Sequence, residues 1–307
     1  MRSRLFTVLL ICLTVVLGGC SLLLPNTTTA LPMQTTPPAT TTSPTTIPPA
    51  TQPPETTQPP APKIGWIEED GKKYYYDENS VMLTDWQEID EQLYYFKESG
   101  AMATGKVEID GQNRYFGSDG SEILLVNPWN FLPENYDPEI ITINGWQYSN
   151  SICYGALMEM LQACKNAGLQ PYIASAYRTH GDQVWLYNNK IQRLIAEGYS
   201  EADARKLAGT VVAVPGTSEH ELGLAFDLVD DSYRNLDEAQ ENTPVQKWLM
   251  ENSWKYGFIL RYPSSKSEAT GIIYEPWHYR YLGKDLAKEV YDSGLCLEEY
   301  LDSLTTE

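Results

Sequence analysis

Three histidines occur in the 307-residue chain, and two of them sit in polar company. His220 lies between Glu219 and Glu221 and is followed by Gly223, Ala225 and Asp227. His278 follows Glu275 and precedes Tyr279 and Arg280. A single histidine is ordinarily a satisfied core or surface residue. Two histidines with carboxylates at neighbouring strand ends point instead to a metal. A hydrolytic zinc ion takes three protein ligands and keeps a fourth position for water. His220, Asp227 and His278 supply two imidazoles and a carboxylate. Glu275, three residues before His278, can reach that water without binding the ion. Two histidines and one carboxylate also describe a non-haem iron triad. That triad usually has His-x-Asp spacing, whereas His220 and Asp227 are seven positions apart, which favours zinc. His180 fits no ligand position and reads as an exposed residue at a helix start.

The scaffold for these side chains is legible from periodicity. Residues 152–167 have apolar spacing suited to a helix, ended by Gly168. Residues 171–174 read as a short buried strand. Residues 181–198 are again helical, with Val184, Tyr187, Ile191 and Leu194 along one side. Residues 222–229 and 271–274 read as strands. Helices with short strands, outside βαβ alternation, argue for the α+β class. Cys153 and Cys164 share the first helix, eleven positions apart, or about 16 Å at 1.5 Å per residue. That is too far for a disulfide. Either could meet Cys296, and none has zinc-ribbon spacing.

The N-terminal part differs in composition. Residues 25–62 hold 12 of the 20 prolines, 13 threonines and a single charge, Glu55. Such a segment cannot bury enough apolar surface to offset the entropy of ordering it. As a polyproline-like tether it reaches up to roughly 120 Å. Residues 1–19 read as a secretory leader: Arg2 and Arg4, then a mainly apolar run from Leu5 to Leu17, too short for a comfortable membrane span. The net charge is −19, from 22 basic and 41 acidic residues, with no basic stripe. Binding to phosphate backbones draws on Lys and Arg, so nucleic acid is excluded as an expected partner. Residues 65–120 repeat with period 20. Trp66 recurs as Trp86 and, in the third copy, is read as replaced by Val107. The pairs Asp70-Gly71, Asp90-Glu91 and Asp110-Gly111 each precede an aromatic run. Each unit reads as a β-hairpin, and single hairpins need stacked neighbours to be stable.

Three resemblances follow. Ser218, His220, Gly223, Ala225 and Asp227, followed by Glu275 and His278, resemble the Ser-x-His-x-x-Gly-x-Ala-x-Asp and Glu-x-x-His signatures of the VanY-type D-alanyl-D-alanine carboxypeptidases. Their fold is shared with the hedgehog N-terminal domain. Five fixed positions at about 5% usage each make the first motif a chance event on the order of a few in ten million. Ser175, Ala176, Tyr177 and Arg178, with Gln183, resemble the family's substrate-binding segment. The resemblance covers about residues 130–290 and departs at no catalytic position. It implies an antiparallel sheet flanked by helices, with Zn2+ held by His220, Asp227 and His278. Glu275 is then the general base and afterwards the acid, and Arg178 polarises the scissile carbonyl. Ser218, Gln183 and Tyr177 are implied substrate contacts, and peptidoglycan stem peptides the substrate. An L,D-carboxypeptidase acting on tetrapeptide stems keeps the same signature. A wall-binding protein with an inactive peptidase fold is a further alternative, against which the intact Glu275 argues.

The hairpins resemble the choline-binding type of cell-wall repeat, in which aromatics cage a quaternary ammonium by cation–π attraction. Trp66, Tyr75, Trp86 and Tyr95 are the candidate cage residues, for wall choline or another wall polymer. Gly18-Gly19-Cys20 resembles a lipoprotein lipobox, which implies lipidation at Cys20 and a membrane tether on the outer face. The expected organisation is a signal peptide over 1–19, lipid anchor and linker over 20–62, hairpin repeats over 63–123 and a zinc carboxypeptidase domain over 124–307.

Overall fold

Each repeat folds around a dipeptide suited to one kind of turn. Asp70 and Gly71 both take positive φ, 51° and 73°, as do Asp110 and Gly111, 53° and 74°. Two successive left-handed residues are what a type I′ hairpin turn needs. The strands they join are β1 (Gly65–Glu69) with β2 (Lys72–Tyr76) and β5 (Gly105–Ile109) with β6 (Gln112–Phe116). Between them lies the hairpin of β3 (Asp85–Ile89) and β4 (Gln92–Phe96). The computed structural model describes residues 61–90 and 92–304. The expected leader, Cys20 and the tether up to residue 60 lie outside the described residues.

Register corrects one reading of the repeat. Trp66 pairs with Tyr75 and Trp86 with Tyr95, and the equivalent pair in the third hairpin is Lys106 with Tyr115. Lys106, not Val107, therefore stands in the tryptophan position. Alternation along the strand turns Val107 inward instead, where it is buried with Ala103, Ile109 and Phe116.

Behind the hairpins, a short pair, β7 (Ile140–Thr142) and β8 (Tyr148–Asn150), leads into α1 (Ser151–Asn166). Then come β9 (Pro171–Ser175), α2 (His180–Ala196), α3 (Glu201–Gly209) and β10 (Ala225–Asp230). The chain continues through α4 (Pro244–Asn252), β11 (Phe258–Tyr262), α5 (Ser267–Thr270) and β12 (Glu275–Tyr281). It closes with α6 (Lys284–Ser293) and α7 (Leu297–Ser303). Four of these strands form one antiparallel sheet in the order β11-β12-β10-β9.

Alternation along these strands sorts the sheet into two faces. Phe226 and Leu228 of β10, Phe258 of β11 and Tyr279 of β12 enter a core with Leu157, Met160 and Cys164 of α1 and Leu249 of α4. The intervening residues point the other way. In the β10–β12 register Asp227 lies directly opposite His278, and Ala225 opposite Arg280. Two candidate ligands are thus neighbours because of strand pairing alone.

Two strand boundaries differ from expectation. Leu222, expected to open a strand, instead closes a 3-10 turn over residues 219–222. That turn ends at Gly223, with φ +71°, where a Cβ would lie 2.9 Å from the backbone nitrogen of Asn150. The strand therefore begins only at Ala225. Residues 271–274 are irregular; the strand is β12, so His278 sits inside it and not beyond its end.

Cys153 and Cys164 share α1, and all three described thiols, with Cys296, are buried and free. The hairpins and the helix–sheet domain belong to one compact unit. At their joint, Ile123 is buried with Ala287 and Val290 of α6 and with Leu297 and Leu301 of α7, and Tyr115 packs against this cluster. No helix among the described residues is long and apolar enough to cross a membrane.

Candidate metal centre

The 3-10 turn before β10 aims His220 at the sheet. Its Nδ1 lies 2.8 Å from the carbonyl oxygen of Ala176, which can only accept, so Nδ1 carries the hydrogen and Nε2 a lone pair. That Nε2 is 3.3 Å from Asp227 Oδ2. On the other side Asp227 Oδ1 is 3.1 Å from His278 Nδ1. All three residues are buried, and one ligand atom from each lies within 4.8 Å of the others.

These distances test the site against a metal. Ligands about 2.0–2.1 Å from a tetrahedral ion sit roughly 3.3 Å apart, which matches both edges. Electrostatics agree. Burial, with the Arg178 cation beside it, pushes His220 down to about 4, so its lone pair faces a carboxylate at neutral pH. Burial opposes the charge on Asp227, yet both imidazoles hold its carboxyl far below the usual range. A lone pair and a carboxylate at 3.3 Å call for a cation between them. His278 behaves differently: burial works to lower it, but Asp227 and Glu219 prevail and raise it to about 9. Without a metal, a proton on His278 meets part of that need. The donor set of two imidazoles and a carboxylate fits zinc.

Glu275 stands at the start of β12 with Oε2 3.8 Å from His278 Nδ1. Burial, reinforced by the charge of Asp227, pushes its carboxyl up to about 8, against the pull of His278 and Arg178. Arg178 reaches the centre from the loop after β9. Its Nε donates to Ser175 Oγ at 3.0 Å, one terminal nitrogen to Gln183 Oε1 at 3.2 Å and the other to Asp227 Oδ2 at 3.1 Å. The Thr179–Asp182 capping box starts α2 immediately after it and so fixes where the arginine side chain emerges. Arg178, Ser218, His220, Asp227, Glu275 and His278 all line one cleft of about 280 Å³.

Two implied substrate contacts lie elsewhere. Gln183 is fully buried, its oxygen taken by Arg178 and its nitrogen donating to Ala213 O at 2.7 Å. Its place is beneath the arginine, because the first turn of α2 faces inward there. Tyr177 lines a separate hollow of about 310 Å³ on the other side of Arg178, with Tyr136, His180 and Glu221. His180 is the first residue of α2 and exposed, as expected, and pairs with Glu221 at 2.8 Å.

A buried ionic cluster escaped the sequence reading. Glu219 bonds Arg261 at 2.8 Å and Arg280 at 2.9 Å, and Arg261 bonds Glu298 at 2.6 Å. The signal was present: Arg261 interrupts the apolar run of β11, and a charge inside a buried strand demands a buried partner.

The hairpins build two aromatic clusters. In the first, Trp66 stands 5.2 Å from Tyr75, 5.0 Å from Tyr94 and 5.8 Å from Phe96. In the second, Trp86 stands 5.2 Å from Tyr95 and 6.0 Å from Phe116. Twenty residues after Tyr94 comes Arg114, and its guanidinium lies 5.5 Å from the Trp86 ring.

Comparison with known proteins agrees with this anatomy. Residues 147–284 match the VanY D-alanyl-D-alanine carboxypeptidase family, residues 83–129 a choline-binding repeat and residues 64–79 a cell wall binding repeat. A D-alanyl-D-alanine carboxypeptidase of Enterococcus faecalis is 41% identical over 181 residues, 59% of this chain and 66% of that enzyme, so the match stops just short of two thirds of the relative's length. The crystal structure of a variant of the vancomycin resistance D,D-pentapeptidase VanY, in complex with Zn(II), is 42% identical. It covers 58% of this chain and 97% of that one, with a TM-score of 0.53. The LD-carboxypeptidase LdcB is 33% identical, covering 65% of this chain and 94% of that one, with a TM-score of 0.52. With the ligand triad, the cleft and these relatives in agreement, the chain belongs to the VanY family of D-alanyl-D-alanine carboxypeptidases.

Proposed function

We propose that the chain is a zinc-dependent D,D-carboxypeptidase that removes the terminal D-alanine from peptidoglycan stem peptides. The observation that carries this reading is the buried His220–Asp227–His278 cluster with Glu275 beside it in one cleft. His220 Nε2, Asp227 and His278 Nδ1 would hold the ion. When bound, zinc supplies a water whose pKa is lowered to about 7 and a Lewis acid for the carbonyl. Glu275 takes the proton from the attacking water and passes it to the departing amine. Arg178, held by Ser175 and Gln183, sets a fixed positive charge where negative charge develops on the carbonyl oxygen. Ser218 offers a hydroxyl in the same cleft, and Tyr177 contacts the substrate only where it extends past Arg178. The apolar walls, among them Val212, Ile273 and Trp277, exclude bulk water and strengthen these interactions.

The higher identity to the D,D-pentapeptidase than to the LD-carboxypeptidase favours the D,D reading. Purified muropeptides followed by mass spectrometry test it. Loss of one alanine from pentapeptide stems, with tetrapeptides untouched, is expected. Trimming of tetrapeptides alone would transfer the assignment to L,D-chemistry.

The hairpins add a wall-binding function. The first aromatic cluster, Trp66 with Tyr75 and Tyr94, suits a quaternary ammonium such as wall choline. The second, Trp86 with Tyr95, already has the chain's own guanidinium beside it. The leader and Cys20 support lipid anchoring on the outer face of the membrane, with the Thr/Pro tether extending into the wall.

A further inference from the structure

We infer that Glu219 is the positioning residue for His278 and that a buried ionic chain ending on α7 holds it in place. The inference rests on the reading of His278 as a zinc ligand.

Glu219 is fully buried, and its two oxygens are used unequally. Oε1 accepts from Arg261 Nε at 2.8 Å and from an Arg280 terminal nitrogen at 2.9 Å. Oε2 has no hydrogen-bond partner, and neither has His278 Nε2; both atoms are buried and they face each other across 3.7 Å. A cluster that served stability alone would turn both oxygens to the arginines. Here one oxygen is aimed at an imidazole nitrogen that has no other acceptor. A hydrogen on His278 Nε2 satisfies both orphans, and it leaves the Nδ1 lone pair facing Asp227. Ligating histidines characteristically donate their second ring nitrogen to such a carboxylate, which fixes tautomer and ring orientation.

Glu219 is itself gripped. Arg261, also fully buried, directs its two terminal nitrogens to Glu298 in a fork, at 2.8 and 2.6 Å. Such paired bonds set direction as well as distance. Asn127 donates to the same Glu298 at 3.0 Å, and Arg280 donates to the carbonyl of Leu124 at 3.1 Å. Contacts therefore run unbroken from His278 through Glu219 and Arg261 to Glu298 in the first turn of α7. The orientation of a ligand in the middle of the sheet depends on the C-terminal helix.

The test measures zinc affinity of the purified full-length chain by competition with a chromogenic chelator, beside thermal melts of the zinc-free protein. Glu219→Gln is expected to weaken zinc binding by about 10–100-fold while the zinc-free protein still melts cooperatively. Glu298→Gln, which keeps a side chain of the same length, is expected to weaken it several-fold in the same direction. Unchanged zinc affinity in Glu219→Gln, with only its melting temperature lowered, would overturn the inference. Should Glu219→Gln fail to fold, unchanged affinity in Glu298→Gln overturns it equally. If the unaltered chain binds no zinc, the ligand assignment itself has failed, and the two failures are thus distinct.

Discussion

At the residue scale, the centre is defined by which nitrogen carries a proton. His278 holds a proton up to about 9 in the zinc-free protein, and Glu275 up to about 8. Zinc must displace the proton on His278, so binding releases protons below those values. Zinc affinity is therefore expected to fall by at least about tenfold for each pH unit below 9 and to level off above it. His220, pushed down to about 4, adds nothing to this slope near neutrality. Chelator competition across pH 6 to 9 measures it, and a flat profile would contradict the assignment of His278. Glu275→Gln is expected to retain stoichiometric zinc while alanine release falls by about 10²–10⁴-fold; undiminished release would end the mechanism proposed above. The cluster of His220, Asp227, Glu275 and His278 was legible in the sequence because polar residues in a tight motif are conspicuous. The places of Gln183 and Glu219 were not. Whether a glutamine faces the substrate or supports an arginine depends on how α2 packs, which no spacing reveals.

At the element scale, periodicity gave α1, α2, β9 and the α+β class, began β10 three residues early and put a strand at 271–274 where β12 runs over Glu275–Tyr281. Residues 222–229 read as strand because Leu222, Leu224, Phe226 and Leu228 alternate through them. Only Gly223, in its left-handed conformation against Asn150, interrupts the strand. Strand β12 escaped for a different reason: Trp277, Tyr279 and Tyr281 alternate with His278 and Arg280, but Pro276 at its second position argues against a strand. Gly223→Ala should destabilise the fold by about 2 kcal/mol from the left-handed conformation alone, read from denaturant midpoints. It should also weaken zinc binding by displacing His220. In the hairpins, turn dipeptides and aromatics were legible, whereas the exact register was not, and Lys106 rather than Val107 occupies the tryptophan position. Arg114→Tyr would give the second cage the ring that the first has in Tyr94. Choline bound per chain should then rise from one to two in a tryptophan-fluorescence titration; an unchanged stoichiometry would deny the guanidinium its blocking role.

At the scale of the whole molecule, three parts can be told apart. The helix–sheet domain is held by its core and the hairpins by stacking, while residues 25–62 differ from both in composition, with 12 prolines and 13 threonines. Cys20→Ala is expected to move the protein from the membrane fraction to the medium, assayed by fractionation and immunoblotting. Retention on membranes would remove the lipid from the account. The compositional break at residues 25–62 was readable from the sequence alone. The joint was not, because the apolar residues that seal it, Ile123 and Leu301, lie at opposite ends of the domain sequence and meet only in the fold.

That joint gives the protein a fixed aim. With Ile123 and Tyr115 seated on α6 and α7, the hairpins and the helix–sheet domain share one apolar seam. A polymer held by the hairpins dictates which way the cleft faces and how far from the grip it works. Stem peptides would then be trimmed at one characteristic offset from each foothold.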